Sequence, residues 1–149
     1  MKIAFGCDHG GITAKSAVIN YLLSKGHEVV DFGTNSEESC NYPEYALNVS
    51  NAVATKQCEF GILVCGTGIG MSIVANKVKG IRCAHVCDMF SAEMTRRHND
   101  TNVIALGARI TSTEDIVKLV DKFLTTEFEG GRHKIRVDMI SEIENKNFI

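Results

Sequence analysis

Residues 64–77 read VCGTGIGMSIVANK, and this stretch decides the fold. An apolar run ends at Cys65, glycines stand at positions 66, 68 and 70, and an amphipathic segment begins at once. This order predicts a buried strand, a tight turn and a helix. Such a turn can direct several backbone N–H groups at one anionic oxygen, and the helix dipole adds to the field. The sequence therefore predicts an anion-binding turn, Gly66 to Gly70, beside a thiol.

The same alternation of apolar runs and helical patterns recurs along the chain. Apolar runs predict strands at residues 2–6, 28–32, 60–65, 81–87 and 102–107. Apolar residues at three- and four-residue spacing predict helices at about 11–25, 43–56, 70–79, 90–97 and 113–125, and a final helix at about 134–146. This alternation is typical of a parallel sheet with helices on both faces. We expect an α/β fold, a three-layer Rossmann-like domain with a five-stranded parallel sheet plus a C-terminal helix, and a single domain over residues 1–149.

Local signals predict where several helices begin and end. Pro43 suits a first helical turn, and Thr111 with Glu114 fits a capping box before the helix at 113–125. Gly26 and Gly80 suit positions just after a helix. The final helix has an apolar stripe that could pack on its own domain or on a partner subunit, formed by Ile135, Met139, Ile140 and Ile143.

Composition excludes several classes of protein. The chain has 149 residues, 44% hydrophobic and 23% charged, and its net charge of -2 provides no electrostatic basis for binding nucleic acid or an anionic membrane. The N-terminus lacks the apolar core of a signal peptide. The six cysteines form no CxxC pair, so we expect reduced thiols in the cytoplasm. The residues at 83, 85 and 87 alternate Cys, His and Cys, which predicts one face of a buried strand more strongly than a metal site.

Three familiar anion-binding chemistries fail at the 66–70 turn. No Gly-Lys pair follows as in a phosphate-binding P-loop, and Met71 stands where a dinucleotide fingerprint needs its third glycine. Met71 also stands where a cysteine phosphatase would need arginine. A thiol beside an oxyanion hole remains, in which Cys65 serves as nucleophile or proton acceptor, or simply ends a buried strand.

Further polar groups follow other predicted strands and helices. Asp8 and His9 precede two glycines after the first strand, and a polar cluster that includes His98 lies before the fifth strand. Arg132 and Arg136 are four residues apart, so a helix would place both on one face. Each group alone could equally be a cap or a solvated surface. Together, an oxyanion hole, a thiol, histidines and separate arginines suit the isomerisation of a sugar phosphate.

Eight blocks of sequence resemble the type B ribose-5-phosphate isomerases, within the sugar-phosphate isomerases that also include allose-6-phosphate and galactose-6-phosphate enzymes. The resemblance covers nearly the whole chain. The blocks are FGCDHGG (5–11), DFGT (31–34), YPEYA (42–46), CGTGIGMSIVANK (65–77), GIR (80–82), RHNDTNV (97–103), GAR (107–109) and EGGRHKIRV (129–137).

The resemblance implies a role for each candidate site residue. Cys65 would move the proton between C1 and C2, and Thr67 would assist it. His98 would help open the furanose ring. The enediolate would lie in the hole formed by Gly66, Thr67, Gly68, Ile69 and Gly70, the sugar hydroxyls would contact Asp8 and Asn99, and the phosphate would be bound by His9, Arg109, Arg132 and Arg136. One branch of the family uses a glutamate as base where this chain has Ile69, which favours Cys65 here.

The same resemblance implies the partners of the chain. We expect a small sugar phosphate as substrate, no cofactor, no metal, no nucleic acid and no membrane. A homodimer or dimer of dimers is expected, with residues such as His98 and Arg109 serving the neighbour's pocket. The intact His98-Asn99-Asp100 cluster favours ribose 5-phosphate. The alternatives are a six-carbon substrate, allose 6-phosphate or galactose 6-phosphate, and a phosphosugar-binding module without catalysis.

Overall fold

The computed structural model describes residues 1–148, in which five strands alternate with five helices and a sixth helix follows at the C-terminal end. The strands are β1 (Lys2–Cys7), β2 (Glu28–Asp31), β3 (Phe60–Cys65), β4 (Cys83–His85) and β5 (Val103–Gly107). The helices are α1 (Ile12–Ser24), α2 (Tyr42–Ala54), α3 (Ile69–Ala75), α4 (Met89–Asn99), α5 (Thr113–Thr125) and α6 (Arg132–Asn147).

All five strands are parallel and lie in the order β2-β1-β3-β5-β4. The central strands β1, β3 and β5 are apolar almost throughout, because helices cover both of their faces. Cys7 pairs with Val64, and Cys65 pairs with Gly107, so the carboxyl ends of the three strands lie together at one end of the sheet. The α/β prediction with a five-stranded parallel sheet is confirmed.

Two apolar clusters fill the space on the two sides of the sheet. The larger cluster packs α1, α4 and α5 around large buried side chains such as Phe5, Ile104 and Phe123. The other packs α2 and α3 against Leu63, Val103 and Ala105 of the sheet. These are the outer layers of a three-layer sandwich. No helix within residues 1–148 is both long and apolar enough to cross a bilayer.

The C-terminal helix α6 lies outside these layers and packs against α4. Its buried residues are His133 and Val137. The predicted apolar stripe instead faces outward, with exposed fractions of 65% for Ile135, 55% for Met139, 45% for Ile140 and 59% for Ile143. Much of the stripe is therefore left uncovered by its own chain, although Ile140 and Ile143 border a groove that also includes Ile81.

Three local predictions are corrected by the structure. β4 covers residues 83–85 instead of 81–87, and the backbone of Arg82 is bonded to Asn102 outside the strand. The N-cap of α5 is Ser112, whose hydroxyl accepts the N–H of Asp115 at 3.1 Å, one residue after the predicted pair. Gly80 adopts a positive φ of 86° in a turn beyond the end of α3, whereas Gly26 follows α1 as expected.

The six cysteines are all free thiols but differ in environment. Burial raises the pKa of the Cys7 thiol to about 12, and Cys58 is buried as well. Cys40 and Cys83 are only partly buried, and Cys87 is exposed. Cys87 also lies outside β4, where its sulfur is 3.6 Å from Nε2 of His85.

Candidate active site

Cys65 is the last residue of β3, and its thiol lies within the turn that follows. The backbone N–H of Gly68 donates to Sγ at 3.0 Å, and the residue is 6% exposed. The thiol and the N–H groups of the turn therefore act at one place, as an oxyanion hole with an adjacent base requires.

The turn is packed too closely for side chains at its glycines. Gly68 has φ of 81°, and a Cβ on it would lie 2.8 Å from Cδ2 of His85. A Cβ on Gly70 would lie 2.7 Å from the ring of Tyr42. Thr67 and Ile69 are exposed beside them, and the hydroxyl of Thr67 faces the N–H of Ile69 at 3.4 Å. The glycines thus bring backbone and neighbouring rings together around the thiol.

Arg109 lies on the same side of the molecule as Cys65. Its N–H donates to the carbonyl of Gly66 at 2.9 Å, and a Cβ on Gly66 would lie 3.0 Å from its guanidinium. The guanidinium therefore extends over the turn of its own chain. This placement favours a role in its own pocket, in contrast to the neighbour's pocket that the resemblance suggested.

The turn after β1 lies at the same end of the sheet as the Cys65 thiol. Oδ1 of the buried Asp8 accepts the N–H groups of Gly10 at 2.9 Å and Gly11 at 3.2 Å. A Cβ on Gly10 would lie 2.9 Å from the nitrogen of Gly66, so the two turns touch. Asp8 therefore shapes the turn, and its other oxygen, Oδ2, lies 4.0 Å from Nδ1 of His9.

His9 is oriented by a loop that the sequence did not connect with the site. The backbone N–H of Cys40 donates to Nδ1 of His9 at 3.2 Å. An Nδ1 that accepts a hydrogen bond places the ring proton on Nε2, which leaves Nε2–H as the free donor. No signal in the sequence links these positions, because they meet only through the fold.

The remaining candidates form a second group at the opposite end of the strands, near the amino end of β5. His98 and Asn99 end α4, just before β5 begins, and Arg132 and Arg136 lie in the first turns of α6 beside them. The ring of His98 stacks on that of His133 with centroids 4.2 Å apart and planes at 10°. We call this set the amino-end group, and the set around Cys65 the carboxyl-end group.

The length of β5 separates the two groups within one chain. Cys65 pairs with Gly107 at the far end of β5, whereas His98 precedes Val103 at its near end. Four residue steps of a parallel strand span roughly 13 Å. A single small sugar phosphate held at Cys65 therefore lies out of reach of His98 of the same chain.

The arginines divide sharply by their partners. Arg82, Arg96 and Arg97 each form ion pairs with carboxylates at 3.1 Å or closer. Among residues 1–148, no carboxylate pairs with the other three, Arg109, Arg132 and Arg136, and all three are exposed. Unpaired guanidinium groups are available for an anionic ligand.

One cluster has residue types that bind metals, namely His98, Glu129 and His133, whose ligand atoms lie within 4.8 Å of one another. The arrangement does not suit a cation. Two parallel, stacked imidazole rings cannot both point a nitrogen at one ion in their own planes, and Arg97 already binds the Glu129 carboxylate. We therefore assign no metal to this cluster.

Sequence reasoning missed Glu129, His133 and Arg97 as a unit. Glu129 and His133 are four residues apart beside the predicted arginine pair, and this spacing is the signal that could have found them.

Comparison with known proteins places the chain among isomerases. A family model described as ribose/galactose isomerase matches residues 3–140. The ribose-5-phosphate isomerase B of Escherichia coli is 48% identical over 97% of both chains. The solved structure of ribose-5-phosphate isomerase B from Clostridium thermocellum has a TM-score of 0.96 at 48% identity, covering 98% of this chain and 99% of that one. The enzyme from Mycoplasma genitalium, solved with bound ribulose-5-phosphate, has a TM-score of 0.95 at 38% identity, with 98% and 97% covered.

Proposed function

The chain belongs to the ribose/galactose isomerase family, and from this premise we propose that it interconverts D-ribose 5-phosphate and D-ribulose 5-phosphate. The observation that carries the proposal is the thiol of Cys65, which accepts a backbone N–H within the glycine turn at 3.0 Å. A base and an oxyanion hole at one place are what an enediolate intermediate requires.

In this reaction Cys65 is the base that moves a proton between C1 and C2. Loss of the proton leaves negative charge on the carbonyl oxygen, which the N–H groups of residues 66–70 stabilise. Thr67, which is exposed in the same turn, assists this step. Ile69 has no ionisable group, so it offers no competing base.

The other candidates open the sugar ring and hold the substrate. His98 transfers the proton that opens the furanose, and Asp8 and Asn99 contact sugar hydroxyls. The phosphate is bound by His9, through its free Nε2–H, together with Arg109, Arg132 and Arg136. The lack of carboxylate partners for these arginines within residues 1–148 supports this assignment, because paired guanidinium groups would first have to break an ion pair.

A complete site needs two chains. The carboxyl-end group has the base and the oxyanion hole. The amino-end group, at the opposite end of the strands, has His98 and two of the arginines. We therefore assign the enzyme as a homodimer, or a dimer of dimers, with His98 and Asn99 reaching the neighbour's Cys65. The outward apolar stripe of α6 offers a surface for such association.

The proposed reaction needs neither cofactor nor metal, because the intermediate's charge is stabilised by backbone dipoles. Residues 1–149 act as one isomerase domain. We place the enzyme in the cytoplasm, where the six free thiols would remain reduced.

The direct test is the Cys65→Ala variant. We expect turnover of ribose 5-phosphate to fall about 10³-fold, in keeping with the loss of a general base. Solvent deuterium should also no longer exchange into the substrate at C2. Cys58→Ala is the matched control, since Cys58 is equally buried but lies before β3, and it should retain normal turnover.

Retained activity in Cys65→Ala would contradict the role of the thiol. Sugar phosphate binding by the wild-type protein, without any proton exchange, would instead favour a binding module. Parallel kinetics with allose 6-phosphate test the six-carbon alternative, and we expect ribose 5-phosphate to have the higher kcat/KM.

A further inference from the structure

The ring of His133 stacks against the ring of His98, and His133 is buried. The residue is 6% exposed, and its ring stacks on that of His98 with centroids 4.2 Å apart and planes at 10°. His98 is only half-buried at the end of α4. The exposed ring thus lies on the buried one, and the pair joins α4 to α6.

The carboxylate of Glu129 lies next to the His133 ring, although Nε2 of His133 has no hydrogen-bond partner within the described residues. Oε2 of Glu129 lies 3.3 Å from Nε2 of His133, and Nε of Arg97 donates to Oε1 of the same carboxylate. The backbone N–H of Glu129 donates to the carbonyl of Arg97 at 3.1 Å. Because Arg97 precedes His98 in α4, the helix that carries His98 also binds the carboxylate that lies next to His133.

Burial and nearby positive charges favour the neutral form of the His133 ring. Burial lowers its pKa, and the nearby His98, Arg132 and Arg136 lower it further, while Glu129 opposes them. Arg97 of α4 also faces the cluster through Glu129. A neutral ring can stack against His98 whether His98 is neutral or protonated, whereas a second imidazolium would repel the protonated form.

We propose that His133 is a positioning residue for His98. Its buried ring stacks on the His98 ring and fixes the plane of that ring, so that a ring nitrogen of His98 is directed at the furanose. This inference rests on the proposed function, in which His98 opens the sugar ring. Without the His133 ring, the His98 ring can turn about two side-chain bonds at an exposed helix end. A misplacement of about 1 Å can cost roughly 10²-fold in rate.

Two variants distinguish stacking on His98 from simple burial of a side chain at position 133. His133→Phe keeps a buried aromatic ring, and His133→Leu keeps a buried apolar side chain without a ring. We expect kcat for ribose 5-phosphate to fall about 10- to 100-fold in His133→Leu and to stay within about threefold of wild type in His133→Phe.

A second measurement isolates ring opening from proton transfer. Ribulose 5-phosphate cannot close to a furanose because its O5 is esterified, so exchange of its C1 proton with solvent deuterium needs Cys65 but no ring opening. We expect this exchange to continue at nearly the wild-type rate in both variants.

Normal conversion of ribose 5-phosphate by His133→Leu would overturn the proposal. Equal losses of conversion in the Leu and Phe variants, or a parallel loss of exchange, would show a merely structural role and would overturn it too. Failure of the proposed function is distinct, because the wild-type protein would then neither convert ribose 5-phosphate nor exchange ribulose 5-phosphate.

Discussion

At the scale of single residues, Gly68 and Gly80 form a natural matched pair. Both have positive φ, 81° and 86°, but a Cβ at Gly68 would meet His85 and Leu106 at 2.8–2.9 Å, whereas a Cβ at Gly80 meets nothing within 4 Å. Gly80→Ala should therefore cost only the backbone strain, about 1 kcal/mol. Gly68→Ala should cost at least twice that and should also lower kcat about tenfold, because the turn around Cys65 must shift.

Urea unfolding gives the two free energies, and isomerisation assays give kcat. Equal destabilisation with normal kcat in both variants would mean that the close packing of the turn matters neither for stability nor for catalysis.

Residues that act through local geometry were accessible from the sequence. Cys65 and its glycine turn are contiguous, and the end of an apolar run predicts where they lie. The hydrogen bond from Cys40 to His9 and the stack of His133 on His98 each join distant positions, 31 and 35 residues apart. Propensity and periodicity contain no term for such contacts, so only the fold reveals them.

At the scale of elements, the N-cap of α5 gives a sharp prediction. Ser112 accepts the N–H of Asp115 through its hydroxyl, while the neighbouring Thr111 has no capping bond within the described residues. Ser112→Ala should lower the free energy of unfolding by about 1 kcal/mol, and Thr111→Ala should change it by less than about 0.5 kcal/mol. Thermal or urea unfolding of the two variants decides between them, and the reverse order would restore the cap that the sequence pattern favoured.

The elements themselves were predicted with small errors at their ends. The strand at 60–65 is as expected, because its long apolar run is bounded by a charged residue and a glycine. The predicted strand at 81–87 was too long, because β4 is an edge strand that pairs only with β5, over three residues. An apolar run shows that residues can be buried, but it does not show pairing, which ends at His85 although β5 itself continues to Gly107.

At the scale of the whole molecule, the proposed division of the active site between two chains predicts complementation. Cys65→Ala chains lack the base and His98→Asn chains lack the ring-opening group, so each homodimer is inactive in both of its sites. A mixed dimer has one site with both defects and one intact site. After unfolding and joint refolding of equal amounts, about a quarter of wild-type activity should return.

Separate refolding of each variant is the control and should yield none of this activity. If the mixture also stays inactive although mixed dimers are detected by mass spectrometry, the two groups do not meet across chains.

The overall architecture followed from the sequence because strands and helices alternate from β1 to α5. Parallel alternation also places each helix end near the amino end of the next strand, so the location of His98 away from Cys65 could have been inferred. The orientation of α6 could not, since an amphipathic stripe shows that a face will be covered without showing by what.

The position of the two groups at opposite ends of a rigid sheet also has a consequence at low protein concentration. If the active site is shared as proposed, a chain that separates from its partner keeps its core and both half-sites intact but has no complete pocket. Activity per chain should therefore fall on dilution and return on reconcentration, with no change in circular dichroism, so that catalytic output depends on the square of the chain concentration once dimers dissociate.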